Sequence, residues 1–389
     1  MKIFYLITKS EPGGAQTHIW QLAKFFKKKG DAVAMMAYPR GWLESEIKKL
    51  GFQFYPNYFL SNNLNPFSGY KAMKEIEKAI SDFKPDLLSC HSTAAGFWGR
   101  IAIKNKVPTI FTAHGWAFTK GVPFWRKILA ILAEKIAAKY CSKIICVSNF
   151  DRNLALKYKI ASEEKLIVIH NGVEINENQK PSLATAGRSE RKERSSLRPL
   201  KSKNQNDNSK IKIVFVGRLA KPKEPILLLK AYNDLPDELK EKAEILIIGE
   251  GPKRKELEKF IREKDLKEKV KLLGSLPREQ VFDVLNQCQI FVLISKWEGF
   301  PRTILEAMSC GLAIIASDIG GISEAIDSNC GILLEKNNVL EIKFALEKLL
   351  KEPTLINKLG QAAYEKVKKE FNLEKMLKNT GEIYQNIII

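Results

Sequence analysis

Long apolar runs are missing from this chain. None approaches the ~18 residues that a membrane-crossing helix needs, so no transmembrane helix is expected within it. Residues 1–8 hold one lysine and a short apolar stretch before Ser10, Glu11 and Pro12, too little for a secretion signal, and read as a first strand. Cys-x-x-Cys pairs are also absent. The six cysteines, Cys90, Cys141, Cys146, Cys288, Cys310 and Cys330, are scattered, most beside apolar runs, so they are expected to be reduced and buried in a reducing compartment. Only four histidines occur, His18, His91, His114 and His170, and no His or Cys spacing suits a metal. There is no Asp-x-Asp to hold Mg²⁺ or Mn²⁺, so neither a metal nor a cofactor is expected. Gly13-Gly14 and Gly249-Glu250-Gly251 both lack the further glycine of a dinucleotide fingerprint.

What is present suits a globular protein of two ordinary domains: 389 residues, 45% of them apolar. Lys and Arg outnumber Asp and Glu by 64 to 44, a formal charge of +20, which points to an anionic partner. Nucleic acid, an anionic membrane and phosphorylated substrates all fit that charge. The basic residues spread through both halves without a basic, aromatic-interleaved motif on a recognised scaffold, so nucleic acid is not expected.

Short apolar runs at 3–8, 86–90, 109–112 and 143–147 read as strands with helical patterns between them, the first helix at 16–29. The second half repeats the plan with runs at 212–216, 244–248, 269–272, 290–294 and 313–316. Strands alternating with helices argue for parallel sheets, and two such halves for two doubly wound α/β domains that bind ligands at the carboxyl ends of their strands. The expected division is residues 1–175 and 211–370, with a final helix at 371–389. Between them, 176–210 has almost no large apolar residue and is expected to be a flexible basic linker, with its basic run at 188–198 a solvated tether or a phosphate contact.

The most informative segment is 295–324, SKWEGFPRTILEAMSCGLAIIASDIGGISE. Pro301 is a residue type favoured at the first position of a helix and Gly311 suits its end, so a helix is expected over 302–310. The free backbone N–H groups of Phe300, Arg302 and Thr303 would then meet an anion such as a diphosphate. Glu298 precedes this helix and can hydrogen-bond sugar hydroxyls; Glu306, about a turn inside, can hold a ribose diol. The plainer readings are a capping carboxylate and a solvated face. In Val216-Gly217-Arg218-Leu219 and Lys223, a strand-ending glycine is followed by two cations able to neutralise a leaving diphosphate, unless they are ordinary surface charges. Gly13-Gly14 would let backbone approach a ligand closely. His114, in Thr112-Ala113-His114-Gly115, follows a strand and is a candidate to contact the substrate sugar or a developing positive charge; structural hydrogen bonding is the alternative. His91 has a similar place.

In their order these segments resemble glycosyltransferase family 4, in the GT-B architecture of two facing Rossmann-like domains. The resemblance spans nearly the whole chain and includes His170-Asn171-Gly172-Val173, Gly249-x-Gly251-Pro252, Gly320-Gly321-x-x-Glu324 and Phe371-Asn372-Leu373-Glu374, where the last helix would cross back. It implies that Arg218 and Lys223 bind the donor diphosphate, Glu298 the donor sugar and Glu306 the ribose. Gly14 would leave room for phosphates and acceptor, and His114 would face the sugar. It also implies retention of anomeric configuration without a metal, the leaving phosphate helping to deprotonate the acceptor. Two positions depart from the pattern: Glu224 stands where a glycine is usual, and Arg302 where a small polar residue is more common.

The stretch 123–140, PFWRKILAILAEKIAAKY, is helical by period and mixes Arg and Lys with Phe, Trp, Ile and Leu, as does 24–29 near Trp20. Either an anionic membrane surface or the domain core could take its apolar face. The expected activity is therefore a retaining hexosyltransferase using a UDP- or GDP-sugar. Its acceptor would be a glycan, lipid-linked or glycolipid molecule of cell-envelope polysaccharide or lipopolysaccharide synthesis, at the cytoplasmic face of the inner membrane. A nucleotide-sugar epimerase or hydrolase on the same fold is the alternative.

Overall fold

The computed structural model describes residues 1–61, 65–119, 121–175 and 210–388. The expected linker at 176–210, with its basic run, lies outside them except for Lys210. The first domain holds seven parallel strands: β1 (Lys2–Lys9), β2 (Ala32–Tyr38), β3 (Gln53–Pro56), β4 (Leu87–His91), β5 (Thr109–Ala113), β6 (Lys143–Cys146) and β7 (Leu166–Val168), in the order β3-β2-β1-β4-β5-β6-β7. The second holds six: β8 (Ile211–Val216), β9 (Ala243–Ile248), β10 (Val270–Gly274), β11 (Ile290–Leu293), β12 (Ala313–Ser317) and β13 (Gly331–Leu334), in the order β10-β9-β8-β11-β12-β13. Both are doubly wound parallel sheets. Their strand order reverses between β1 and β4 and between β8 and β11, the places where such sheets open a crevice at the carboxyl ends.

The central strands are apolar on both faces because helices cover both, which is why their runs were visible in sequence. Four strands lacked such a run. β2 reads AVAMMAY, poor in β-branched residues; β3 is a half-exposed edge; β7 has three residues; β13 begins with glycine.

The last helix, Leu373–Ile388, packs on the first domain. Met376 and Tyr384 join the core under β1, and Tyr384 stacks on Phe26 with ring centroids 5.4 Å apart. The chain returns where Val173 pairs with Asn372: the Val173 amide donates to the Phe371 carbonyl at 2.9 Å and the Leu373 amide to the Val173 carbonyl at 2.8 Å.

Helix Phe124–Ala137 turns only a narrow face inward, through Ala130, Glu134 and Ala137. The Glu134 carboxylate accepts from Arg100 Nη2 at 2.7 Å, a buried ion pair whose guanidinium also lies over the Phe111 ring. The opposite face leaves Phe124 78%, Trp125 59% and Leu129 57% exposed, with Ile128, Leu132 and Ile136 beside them. The core therefore takes little of this helix's apolar surface.

Candidate active site

The carboxyl ends of β8 and β11 bring together groups far apart in the chain. Gly217 and Arg218 follow β8, with Arg218 exposed. Lys223, further along that loop, forms an antiparallel bridge with Ser295 after β11, and its ammonium pairs with the Glu298 carboxylate. Glu224 is engaged as well: its carboxylate lies 2.8 Å from Lys253 Nζ and 3.4 Å from Lys296 Nζ, and Lys253 donates to the Lys223 carbonyl at 2.8 Å. The carboxylate in place of the usual glycine thus pins the loop that carries Lys223.

Helix Arg302–Ser309 begins at the expected residue and ends one residue short of the expected 310. Pro301 keeps an extended ψ of 120° and caps the helix rather than opening it. The amides of Arg302 and Thr303 lie at the N-terminus, facing the switch point. Phe300 is buried at the domain boundary, its carbonyl accepting from Asn171 Nδ2 at 2.8 Å and its ring 4.9 Å from His170 and 5.2 Å from Phe371. Thr303 Oγ1 is buried and unpaired among the described residues. Glu306 stands 3.7 Å from Arg278 Nε. Burial pushes its carboxyl up from the usual range, and Arg302 and Arg278 pull it back down. Arg278, on helix Arg278–Leu285, carries no signal in sequence that separates it from other surface arginines.

Arg302 crosses the cleft. Its Nη2 donates to Gln21 Oε1 of the first domain at 2.9 Å, and a methyl group on Gly14 would stand 3.5 Å from its Cδ. Burial lowers its pKa to about 10, with Glu306 opposing the shift and Arg278 adding to it. Its charge is therefore enclosed between the domains rather than presented to solvent.

The absence of metal-like spacing in sequence concealed a cluster that the fold assembles. His18 from helix Gly14–Lys28, His91 from the end of β4 and His114 after β5 place one ring nitrogen each within 4.8 Å of the others. Burial holds all three well below the usual imidazole range, with His114 pushed down to about 3 by burial and then by Arg302. The neutral rings have the count for a metal, but the enclosed guanidinium beside them opposes a dication and no carboxylate belongs to the cluster.

His114 and Glu298 line one cavity of about 280 Å³ between the domains, together with Thr93, Trp116, Asp151 and Trp297. Close approach here requires glycine at 299, where a Cβ would meet the His114 carbonyl oxygen at 2.8 Å. Asp151 was not singled out from sequence. It is buried at the start of helix Asn149–Lys157, and burial raises its pKa to about 7 against the opposing bond from Ser148.

The sequence elements around His170 and Glu324 meet across the boundary. The Glu324 carboxylate accepts from the amides of Asn149 and Phe150 at 2.8 and 2.7 Å and from His170 Nε2 at 2.8 Å. A carboxylate of the second domain thus caps a helix N-terminus of the first. The whole arrangement offers cations and helix amides for a diphosphate, and a carboxylate and an imidazole around an adjoining cavity of sugar size.

Comparison with known proteins gives two family matches in series: Glycosyltransferase Family 4 over residues 12–177 and Glycosyl transferases group 1 over residues 198–366. The chain is 28% identical over 340 residues to the UDP-Gal:alpha-D-GlcNAc-diphosphoundecaprenol alpha-1,3-galactosyltransferase of Escherichia coli, covering 85% of this chain and 83% of that one. It is 25% identical over 346 residues to the O-antigen biosynthesis glycosyltransferase WbnH of Escherichia coli, covering 89% of each. In three dimensions it superposes on Anabaena Alr3699/HepE in complex with UDP-glucose with a TM-score of 0.79 at 18% identity, over 99% of this chain and all of that one.

Proposed function

Since the chain belongs to the glycosyltransferases of family 4 and has their GT-B fold, we propose that it transfers a hexose-type sugar from a nucleotide diphosphate to a lipid-linked glycan of the cell envelope, with retention and without a metal. The observation that carries this reading is the joint placement of Arg218, Lys223, Glu298 and His114 around the carboxyl ends of both sheets. The diphosphate would lie against Arg218, Lys223 and the amides of Arg302 and Thr303, with Glu306 on the ribose. The sugar would enter the cavity between Glu298 and His114. The cradle supplies positive charge where the leaving group forms, and the enclosed Arg302 disfavours a second cation there.

The E. coli galactosyltransferase named above acts on a diphosphoundecaprenol-linked sugar, and WbnH belongs to O-antigen biosynthesis, which favours a lipid-linked acceptor for this chain. The exposed apolar face of helix Phe124–Ala137, flanked by Arg126, Lys127, Lys135 and Lys139, would rest on an anionic cytoplasmic membrane surface where such acceptors reside.

A thermal-shift panel of UDP, GDP, ADP and their sugar conjugates, with and without EDTA, tests the donor half. A selective rise in Tm that survives EDTA supports metal-free donor binding, and no shift with any nucleotide removes it. Transfer to a polyprenyl-diphosphate sugar tests the other half. Turnover of the donor without any acceptor would instead indicate an epimerase or hydrolase.

A further inference from the structure

A buried polar chain runs from the last helix to His114. The Tyr384 hydroxyl lies 2.6 Å from Ser89 Oγ, Ser89 Oγ lies 3.0 Å from His91 Nε2, and His91 Nδ1 lies 3.0 Å from His114 Nε2. Ser89 and His91 stand two apart on β4 and so share one face of the sheet. Tyr384 reaches them because the last helix packs beneath that sheet, and Ser89, His91 and Tyr384 are all fully buried.

Each hydroxyl in this chain carries one proton, and so does each neutral imidazole. The protons can therefore point in only two concerted ways, toward His114 or away from it. The end of the chain at Tyr384 decides between them. The Tyr384 hydroxyl is buried with Ser89 Oγ as its partner, and the buried Tyr5 hydroxyl makes no hydrogen bond among the described residues. If the chain pointed away from His114, Ser89 would donate to Tyr384, leaving the Tyr384 proton enclosed without an acceptor among the described residues. If it points toward His114, Tyr384 donates to Ser89, Ser89 to His91 Nε2, and His91 Nδ1–H to His114 Nε2. Each buried proton from Tyr384 to His91 then has an acceptor, and the one left over is on His114, which lines the cavity.

We propose that Tyr384, Ser89 and His91 are positioning residues that hold His114 as its Nδ1–H tautomer, a hydrogen-bond donor to an oxygen of the sugar in the cavity shared with Glu298. This rests on the sugar-transfer reading for the ligand, but not for the tautomer. At that nitrogen His114 offers a proton and no lone pair, so it binds or orients oxygen and does not take a proton from the acceptor. Tyr384 stands at the end of this hydrogen-bond chain farthest from His114, which ties the last helix to the active site as well as to the core.

The test uses the full chain labelled with ¹⁵N-histidine. Long-range ¹H–¹⁵N spectra should show His114 protonated at Nδ1 in the wild type and a mixture of tautomers in Ser89→Ala, with the isosteric Tyr384→Phe moving the same way. Transfer by Ser89→Ala should lose about tenfold in kcat, with donor KM held by the distant diphosphate cradle. A wild-type His114 protonated at Nε2, or an unchanged tautomer in Ser89→Ala, overturns the proposal. Because the spectra need no turnover, a protein that transfers no sugar would sink the transferase reading while the tautomer still decides this one.

Discussion

Lys223 and Glu298, 75 positions apart, form an ion pair at the carboxyl ends of the adjacent strands β8 and β11. Both side chains are nearly enclosed, at 14% and 12% exposure, so the pair sits where a diphosphate would compete for the ammonium. Donor binding should therefore redistribute Lys223 from the carboxylate toward phosphate, leaving Glu298 free for the sugar.

Glu298→Gln should lower kcat by about a hundredfold or more, since it removes the carboxylate proposed to meet the donor sugar while keeping its shape. Arg218→Ala should abolish transfer likewise, and Lys223→Ala should mainly raise donor KM. Circular dichroism should show each variant folded. Wild-type rates in Glu298→Gln or Arg218→Ala would remove that residue from the mechanism.

The domain clasp should loosen in acid. Hydrogen bonds from His170 and from the Asn149 and Phe150 amides hold the Glu324 carboxyl below its usual value of 4.5, although burial works against them. A depressed carboxylate contributes stability that is whole above 4.5 and is lost as pH falls through the folded value. Because Glu324 is partly exposed, Glu324→Gln should cost only about 1–2 kcal/mol of closure. Small-angle scattering should show a larger radius of gyration for that variant at neutral pH; an unchanged one refutes the clasp.

The three buried histidines make folding pH-dependent at a higher range. Their folded values lie well below 6.5, so their contribution is whole above 6.5 and is lost as pH falls. Asp151, raised to about 7, acts in the opposite sense and takes up a proton in the folded state. Three less one leaves about two protons bound on unfolding, up to ~2.7 kcal/mol per pH unit between pH 6 and 5. Urea midpoints measured at pH 7.5 and 5.5 check this, and a flat profile contradicts it.

Trp125 and Leu129 are exposed on the outer face of their helix, so replacing both with serine should leave stability unchanged. Binding to vesicles containing anionic lipid should fall at least about tenfold, the loss expected for two large apolar groups. Transfer to a water-soluble acceptor should be unaffected. Equal sedimentation of variant and wild type with vesicles would place the membrane contact elsewhere or nowhere.

Legibility in sequence followed the range of each signal. Helices and buried strands such as β11 and β12 were readable because burial on both faces leaves a nearly unbroken apolar run. β2 and β13 were not, since alanine, methionine and glycine carry little strand preference and only their place in the sheet makes them strands. The strand-end position of Glu298, Arg218, Lys223 and His114 was also readable, because a motif that follows a strand directly must lie at the sheet's carboxyl edge.

Sequence alone settled the parallel α/β plan, the two domains and the family, since these rest on local periodicity and ordered motifs. Only the tertiary structure decided which of those residues meet. His18, His91 and His114 share a buried space, Arg302 reaches Gln21 over 281 positions, and Tyr384 reaches Ser89 over 295. The protonation of these groups followed from the same step. A histidine or arginine has its ordinary pKa until neighbouring elements exclude water from it, and which elements do so is fixed by the packing of the two sheets and the return of the last helix.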